Sequence, residues 1–298
     1  MRWNKLRILT FSLIAVLAIS CAAEKKVKNL AKNKPELAVE GYNLIWHDEF
    51  DTDELNHTRW MFDVKRAGSS ELQQYTNSIK NARVESGHLH IDAKLEGSNA
   101  AQNSYQITSA RLTTEQNAAW KYGRFEIRAK FPEGKAVWPA VYMLPEEETY
   151  GAWPQSGEID IVEFLGDEPN FVYGTLHFGG KVPRNEQAGA FYMLMDEDFS
   201  DDFHVFRLDW EPEEIRWYVD DEHFLTQEHW HSMGAGYDSF PAPFDKKFYM
   251  VLSLAIGREL NDVELSGDDL PKTMLVDYVR VYQKEGDPYS NRQLSLLK

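Results

Sequence analysis

Gly157-Glu158-Ile159-Asp160-Ile161-Val162-Glu163-Phe164 places three carboxylates within six residues, among apolar side chains that favour strands. In a regular strand successive side chains point to opposite faces, so Glu158 and Asp160 share one face and Glu163 falls on the other. A β-bulge removes the mismatch: one extra residue, at Ile161 or Val162, returns Glu163 to the face of its two neighbours. With the bulge counted, the outer Cα atoms lie about four strand steps apart, roughly 13 Å. Two long glutamate arms leaning inward narrow the carboxyl gap to about 5.5 Å, the separation used by retaining glycosidases.

In that chemistry one carboxylate attacks the anomeric carbon, and the other protonates the leaving oxygen and later activates water. Glu158 and Glu163 are the candidates for the two tasks. Asp160 between them hydrogen-bonds one partner and adds negative charge that keeps the acid protonated. An isolated Glu-x-Asp-x-x-Glu is more often an acidic solvated face. Here the isoleucines between the acids favour the other reading, because burying them on one side gathers the carboxylates on the opposite side. Trp138, Trp153 and His177 nearby supply what a sugar site needs.

Outward from this stretch the chain keeps a period of two. Phe125, Ile127, Ala129 and Phe131 alternate with Arg124, Glu126, Arg128 and Lys130, and residues 88–93 alternate likewise. Residues 205–210 and 215–219 read as a hairpin turning through Glu211-Pro212-Glu213-Glu214. Phe248 to Ile256 is almost continuously apolar, as in an inner strand covered on both faces, and Val276 to Tyr282 closes the domain. No long amphipathic helix and no repeat is found. Many short strands with turn residues between them predict an all-β, antiparallel β-sandwich, a jelly roll with a concave substrate cleft.

Bulk composition bounds the partners. Of 298 residues 43% are hydrophobic, enough for a core, and 9 Trp, 14 Tyr and 16 Phe exceed what a core of this size uses. The net charge of −16 opposes nucleic acid and anionic membrane surfaces and permits a neutral polysaccharide. A monomer is expected.

Arg2, Lys5 and Arg7 precede an apolar run from Ile8 to Ile19, too short to span a bilayer and suited to a signal peptide over 1–20. The only cysteine, Cys21, follows Ala18-Ile19-Ser20, which resembles the lipobox of bacterial lipoproteins although Leu is missing three positions before it. Cys21 is therefore the expected lipidation site of an exported, membrane-anchored lipoprotein, periplasmic or at the cell surface. A cleaved secretory signal is the alternative. Residues 21–40 read as a flexible tether, 41–283 as the catalytic domain and 284–298 as a C-terminal tail.

The folded region resembles glycoside hydrolase family 16, and within it the bacterial laminarinase-like β-1,3-glucanases. The resemblance runs through Trp46-His47-Asp48-Glu49-Phe50, Glu71-Leu72-Gln73-Gln74-Tyr75-Thr76, Thr108-Ser109-Ala110-Arg111-Leu112, Trp138-Pro139-Ala140, the acidic strand, Gly174-Thr175-Leu176-His177 and Val276-Asp277-Tyr278-Val279-Arg280-Val281-Tyr282. It implies a jelly roll, retention of configuration, Glu158 as nucleophile, Glu163 as acid/base and no cofactor for catalysis. It further implies that Trp138 and Trp153 are sugar platforms, that Arg111 and Glu71 are cleft residues, and that His177 lies near the leaving group. The plain readings are core packing for the tryptophans, a structural role for His177 and a structural ion pair for Arg111.

Many members of the family hold a structural calcium. Glu49, the carbonyl of Gly87 and Asp277 match its positions, against a reading of Glu49 and Asp277 as surface acids. The chain departs from the family at Ser69-Ser70, at Val141-Tyr142 and at Gly257-Arg258-Glu259-Leu260, so the exact neutral β-glucan stays open. Tyr142 keeps a stacking ring. The readings carried forward are an endo-β-1,3-glucanase, a hydrolase of mixed-linkage glucan or a neutral galactan such as agarose, and a non-catalytic glycan-binding jelly roll. Three crowded carboxylates weigh against the last, because pure binding has no use for their mutual repulsion.

Overall fold

The computed structural model describes residues 36–64, 71–99, 104–234, 240–257, 265 and 269–286. The chain forms two units, Met1–Val39 and Glu40–Lys298. The signal peptide, Cys21, most of the tether, Ser69-Ser70, residues 258–260 and the tail from residue 287 lie outside the described residues.

Within the second unit the described strands are β1 (Tyr42–Asp48), β2 (Met61–Phe62), β3 (Gln73–Tyr75), β4 (Ala82–Glu85), β5 (His88–Asn99), β6 (Ser104–Ser109), β7 (Arg111–Thr113), β8 (Gly123–Lys130), β9 (Val137–Pro145), β10 (Glu158–Phe164), β11 (Phe171–Gly179), β12 (Asn185–Met193), β13 (His204–Trp210), β14 (Ile215–Val219), β15 (Glu222–Gln227), β16 (Phe248–Ile256) and β17 (Lys272–Lys284). One sheet runs β12-β11-β10-β9-β16-β7-β2. The other runs β15-β14-β13-β8-β17-β5-β6-β3, with β1 also paired to β17 and β4 to β5. Among the described pairings between these strands only β3–β6 is parallel. This is the antiparallel jelly roll that the alternation predicts.

The alternating segments behave as their periods require. In β8 burial alternates strictly beyond its first two residues, so Phe125, Ile127 and Ala129 enter the core and the charged residues between them do not. In β16 every residue but Tyr249 is buried, because the strand lies between β9 and β7 with the core beneath it. Residues 205–210 and 215–219 form the hairpin β13–β14, in register from Phe206↔Val219 to Trp210↔Ile215. Ile159, Val162, Leu176, Phe206, Leu208 and Trp217 belong to one buried core between the sheets.

Candidate active site

The acidic strand β10 is flanked by β9 and β11. Against β9, Asp160 pairs with Tyr142 and Val162 with Val141; against β11, Asp160 pairs with Thr175 and Glu163 with Tyr173. Ile161 is thus the extra residue of a bulge, and Glu163 regains the face of Glu158 and Asp160. Ile159, Ile161 and Val162 are all buried. On the other side the three acids line one recess of about 130 Å³ together with Glu71, Tyr75, Trp138 and Tyr142.

A bulge disrupts the ladder and leaves main-chain groups in need of partners. Here the carbonyl of Asp160 accepts a hydrogen bond of 2.8 Å from Nε1 of Trp217, a fully buried residue of β14 in the opposite sheet. Gly174 of β11 makes room for that indole: a Cβ there would lie 2.6 Å from Cδ1 of Trp217. Gly157, at φ 88°, starts the strand where a Cβ would meet the Phe244 ring at 2.7 Å.

Each acid has its own partner. Trp153 Nε1 donates to Oε2 of Glu158 at 2.5 Å, and Trp138 Nε1 donates to Oε1 of Glu163 at 3.2 Å. Both tryptophans therefore hold carboxylates through their ring N–H, in addition to any face they offer a sugar. Trp153 is nearly half exposed. His177 pairs with Glu158 across the β10–β11 ladder, and its Nε2 lies 3.1 Å from Oδ2 of Asp160. Glu71 accepts from Nε2 of Gln73 at 2.7 Å, and Oε1 of Gln73 in turn accepts the amide of Ile256 at 2.7 Å, which ties this edge of the recess to β16.

Burial pushes Asp160 well above the usual carboxylate range, with the charge of Glu163 adding to it and a hydrogen bond with Glu158 opposing it. Burial likewise raises Glu158, to about 8, with Asp160 contributing, while His177 and the Trp153 N–H pull it down. Two carboxyls this close hold one proton between them. Asp160 is the natural holder, since the Trp153 N–H and His177 favour a charged Glu158. Donor atoms of Glu158, Asp160 and His177 converge within 4.8 Å.

Arg111 lies outside the lining of the recess. Its Nη2 binds Oδ2 of Asp63 at 2.7 Å and its guanidinium sits 4.8 Å over the ring of Tyr75. It forms an ion pair and braces Tyr75, a residue that lines the recess. Tyr75, Gln73, Ser253 and Ala255 were not singled out in the sequence. Period two from Glu71 through Gln73 to Tyr75 marks the first two, whereas Ala255 is one apolar residue among many in β16 and Ser253 a small polar break in that run. A larger open hollow of about 1200 Å³, bordered by Glu186, Glu211, Glu214, Trp230 and His231, contains none of the acids of β10.

The reading of Glu49 and Asp277 as surface acids does not hold. Asp277 is fully buried and receives a 2.7 Å hydrogen bond from Arg128, and Glu49 accepts two of 2.9 Å from Arg280. Burying a charge requires such partners. The pairing Asp48↔Val279 brings Glu49 beside β17, and His88, next to Gly87, lies 3.7 Å from Asp277. Both carboxylates that a calcium ion would use there are thus engaged by guanidinium groups.

Residues 69–264 match the family Glycosyl hydrolases family 16. The chain is 40% identical over 265 residues to the glucan endo-1,3-beta-glucosidase A1 of Niallia circulans, a match covering 83% of this chain and 39% of that protein. It is 39% identical over 251 residues to the beta-glucanase of Rhodothermus marinus, covering 81% of this chain and 85% of that one. The catalytic domain of an endo-1,3-beta-glucanase (laminarinase) from Thermotoga petrophila superposes with a TM-score of 0.70 at 34% identity, over 83% of this chain and 100% of that domain. The bulged acidic strand, the two-sheet fold and these matches together place the chain in family 16 of the glycosyl hydrolases, to which it belongs.

Proposed function

We propose that the chain is a retaining endo-β-1,3-glucanase of the laminarinase kind. The observation that carries this reading is the bulge at Ile161, which gathers Glu158, Asp160 and Glu163 around one recess, each glutamate held by an indole N–H. The names of the relatives, endo-1,3-beta-glucosidase and laminarinase, support the choice of linkage.

In the first step the carboxylate of Glu158 attacks the anomeric carbon, the bond from that carbon to the leaving oxygen breaks, and Glu163 gives its proton to that oxygen. In the second, Glu163 takes a proton from water, the water oxygen attacks the same carbon, and Glu158 departs, so configuration is retained. Asp160 holds the shared proton beside Glu158 and so leaves the Glu158 carboxylate charged for attack. His177 orients Asp160 from β11. Trp138, Trp153 and Tyr142 offer rings to the sugar, and Glu71 offers acceptors for its hydroxyls.

The same proposal includes export by the N-terminal segment, acylation of Cys21, a catalytic domain over 41–283, and a calcium ion at Glu49, Gly87 and Asp277 as a clip between strands rather than a reactant. A reducing-sugar assay on laminarin, lichenan and agarose in parallel tests the substrate. The highest rate is expected on laminarin. A protein that binds laminarin and releases no reducing ends would establish the binding-module reading instead.

A further inference from the structure

The sheet face that carries the acids continues past Glu163 onto β11 and β12. Glu163 pairs with Tyr173, and Tyr173 pairs with Phe191. Directly paired residues of antiparallel strands share a face, so these three form one row. Two positions further along, Phe171 pairs with Met193 on that same face. The intervening Val172, Ala190 and Tyr192 pack against the core. The outward residues are thus large and apolar where core packing does not ask for it.

Phe191 is 58% exposed and Met193 38%. Phe191 meets Phe171 edge-on at 5.4 Å and Tyr173 at 6.4 Å, and Tyr173 is itself anchored by a 2.5 Å hydrogen bond to Glu168. β12 ends its sheet. Edge strands are ordinarily protected by charged outward residues, and a fixed, exposed aromatic group there signals an occupant.

We propose that Phe171, Tyr173, Phe191 and Met193 form a sugar-binding platform for the part of a neutral β-glycan chain that lies beyond Glu163, on the side of the acids away from the recess. This inference rests on the glycanase reading of the cleft. The apolar faces of pyranose rings stack on aromatic side chains, as ligand sites lined by rings with a few polar groups do elsewhere. Strand spacing of about 4.8 Å puts Phe191 roughly 10 Å from β10, past the sugar next to the scissile bond. The recess with Glu71, Tyr75 and Trp138 lies on the β9–β16 side. A polymer would then be gripped on both sides of the cut, the arrangement internal cleavage needs. The charge of −16 opposes an anionic membrane or a second copy as the occupant.

The test measures calorimetric affinity for β-1,3-gluco-oligosaccharides of increasing length in a Glu158→Gln background. Phe191→Ala should weaken binding of the longest oligosaccharides roughly three- to tenfold, with the loss growing with length, and Phe191→Trp should restore it. An equal loss at every length, or no loss at the longest, overturns the platform. So does a sedimentation shift on Phe191→Ala, which would mark a contact between copies. If the unsubstituted protein binds these oligosaccharides yet cleaves none, the hydrolase reading fails while the length dependence still decides the platform.

Discussion

Replacing Trp217 by Phe keeps most of an aromatic ring beneath the acidic strand and deletes one N–H. The acceptor it leaves behind, the carbonyl of Asp160, is sealed between the sheets. A buried acceptor deprived of its partner costs about 1–3 kcal/mol. For a domain of this size each kcal/mol moves the melting midpoint by roughly 2–4 °C, so a fall of about 2–12 °C is expected. Turnover should suffer more. The bulge can regain a partner for that carbonyl only by rotating, which swings Glu163, and a misplacement of about 1 Å at a reacting group costs on the order of 10² in rate. kcat should therefore drop more steeply than KM rises. Gly174 supplies an internal control. Gly174→Ala alone pushes a Cβ to 2.6 Å from the Trp217 ring and should destabilise, whereas with Phe at position 217 the smaller ring yields space. The double variant should lose less than the sum of the two single losses. Melting curves and kcat/KM on laminarin for the four proteins settle the matter. A Trp217→Phe protein with an unaltered midpoint and unaltered kcat would refute the role of the inter-sheet hydrogen bond in holding the bulge.

Glu158→Gln should abolish nearly all turnover while retaining laminarin binding, and measurable steady-state hydrolysis would remove Glu158 from the nucleophile position. Glu163→Gln should slow glucan hydrolysis by about 10² or more, yet spare the first step on an aryl glycoside whose phenolate leaves without a proton; equal losses on both substrates would count against an acid/base role. The proton that Glu158 and Asp160 share, which lifts Glu158 to about 8, is held in the folded chain and released on unfolding. Its contribution to stability is complete below the unfolded value near 4.5 and disappears as pH rises through about 8. Glu158→Gln should therefore gain midpoint relative to the unsubstituted protein between pH 5 and pH 8, and a constant difference across that range would contradict the assignment. If calcium clips Glu49, Gly87 and Asp277, a chelator should lower the midpoint and added calcium restore it, whereas an unmoved midpoint leaves the arginine pairs as the whole stabilising arrangement.

Much of the fold was legible because each strand needed only its own period. The odd spacing between Asp160 and Glu163 demanded a bulge, and the apolar run ending at Ile256 demanded a covered strand. What stayed hidden depends on partners far away in sequence. Nothing near Asp160 announces that Trp217, 57 residues on, will satisfy its carbonyl, or that Arg111 will pair with Asp63. The indole N–H bonds of Trp138 and Trp153 were hidden for a related reason: a tryptophan suggests a flat face, while the direction of its N–H is set by sheet geometry. For Glu49 and Asp277 the sequence leaves calcium ligands and surface acids both open, because the arginines that engage them, Arg280 and Arg128, are brought to them only by strand register.

The acidic strand sits in the interior of its sheet, hydrogen-bonded along both sides, while the residues that touch the more distant sugars come from a terminal strand and from loops. Amide protons of β10 should accordingly exchange with solvent far more slowly than those of β12. The cutting step is thereby insulated from change at the periphery, and variation at the rim can redirect such a protein toward a new polymer without disturbing how it breaks the bond.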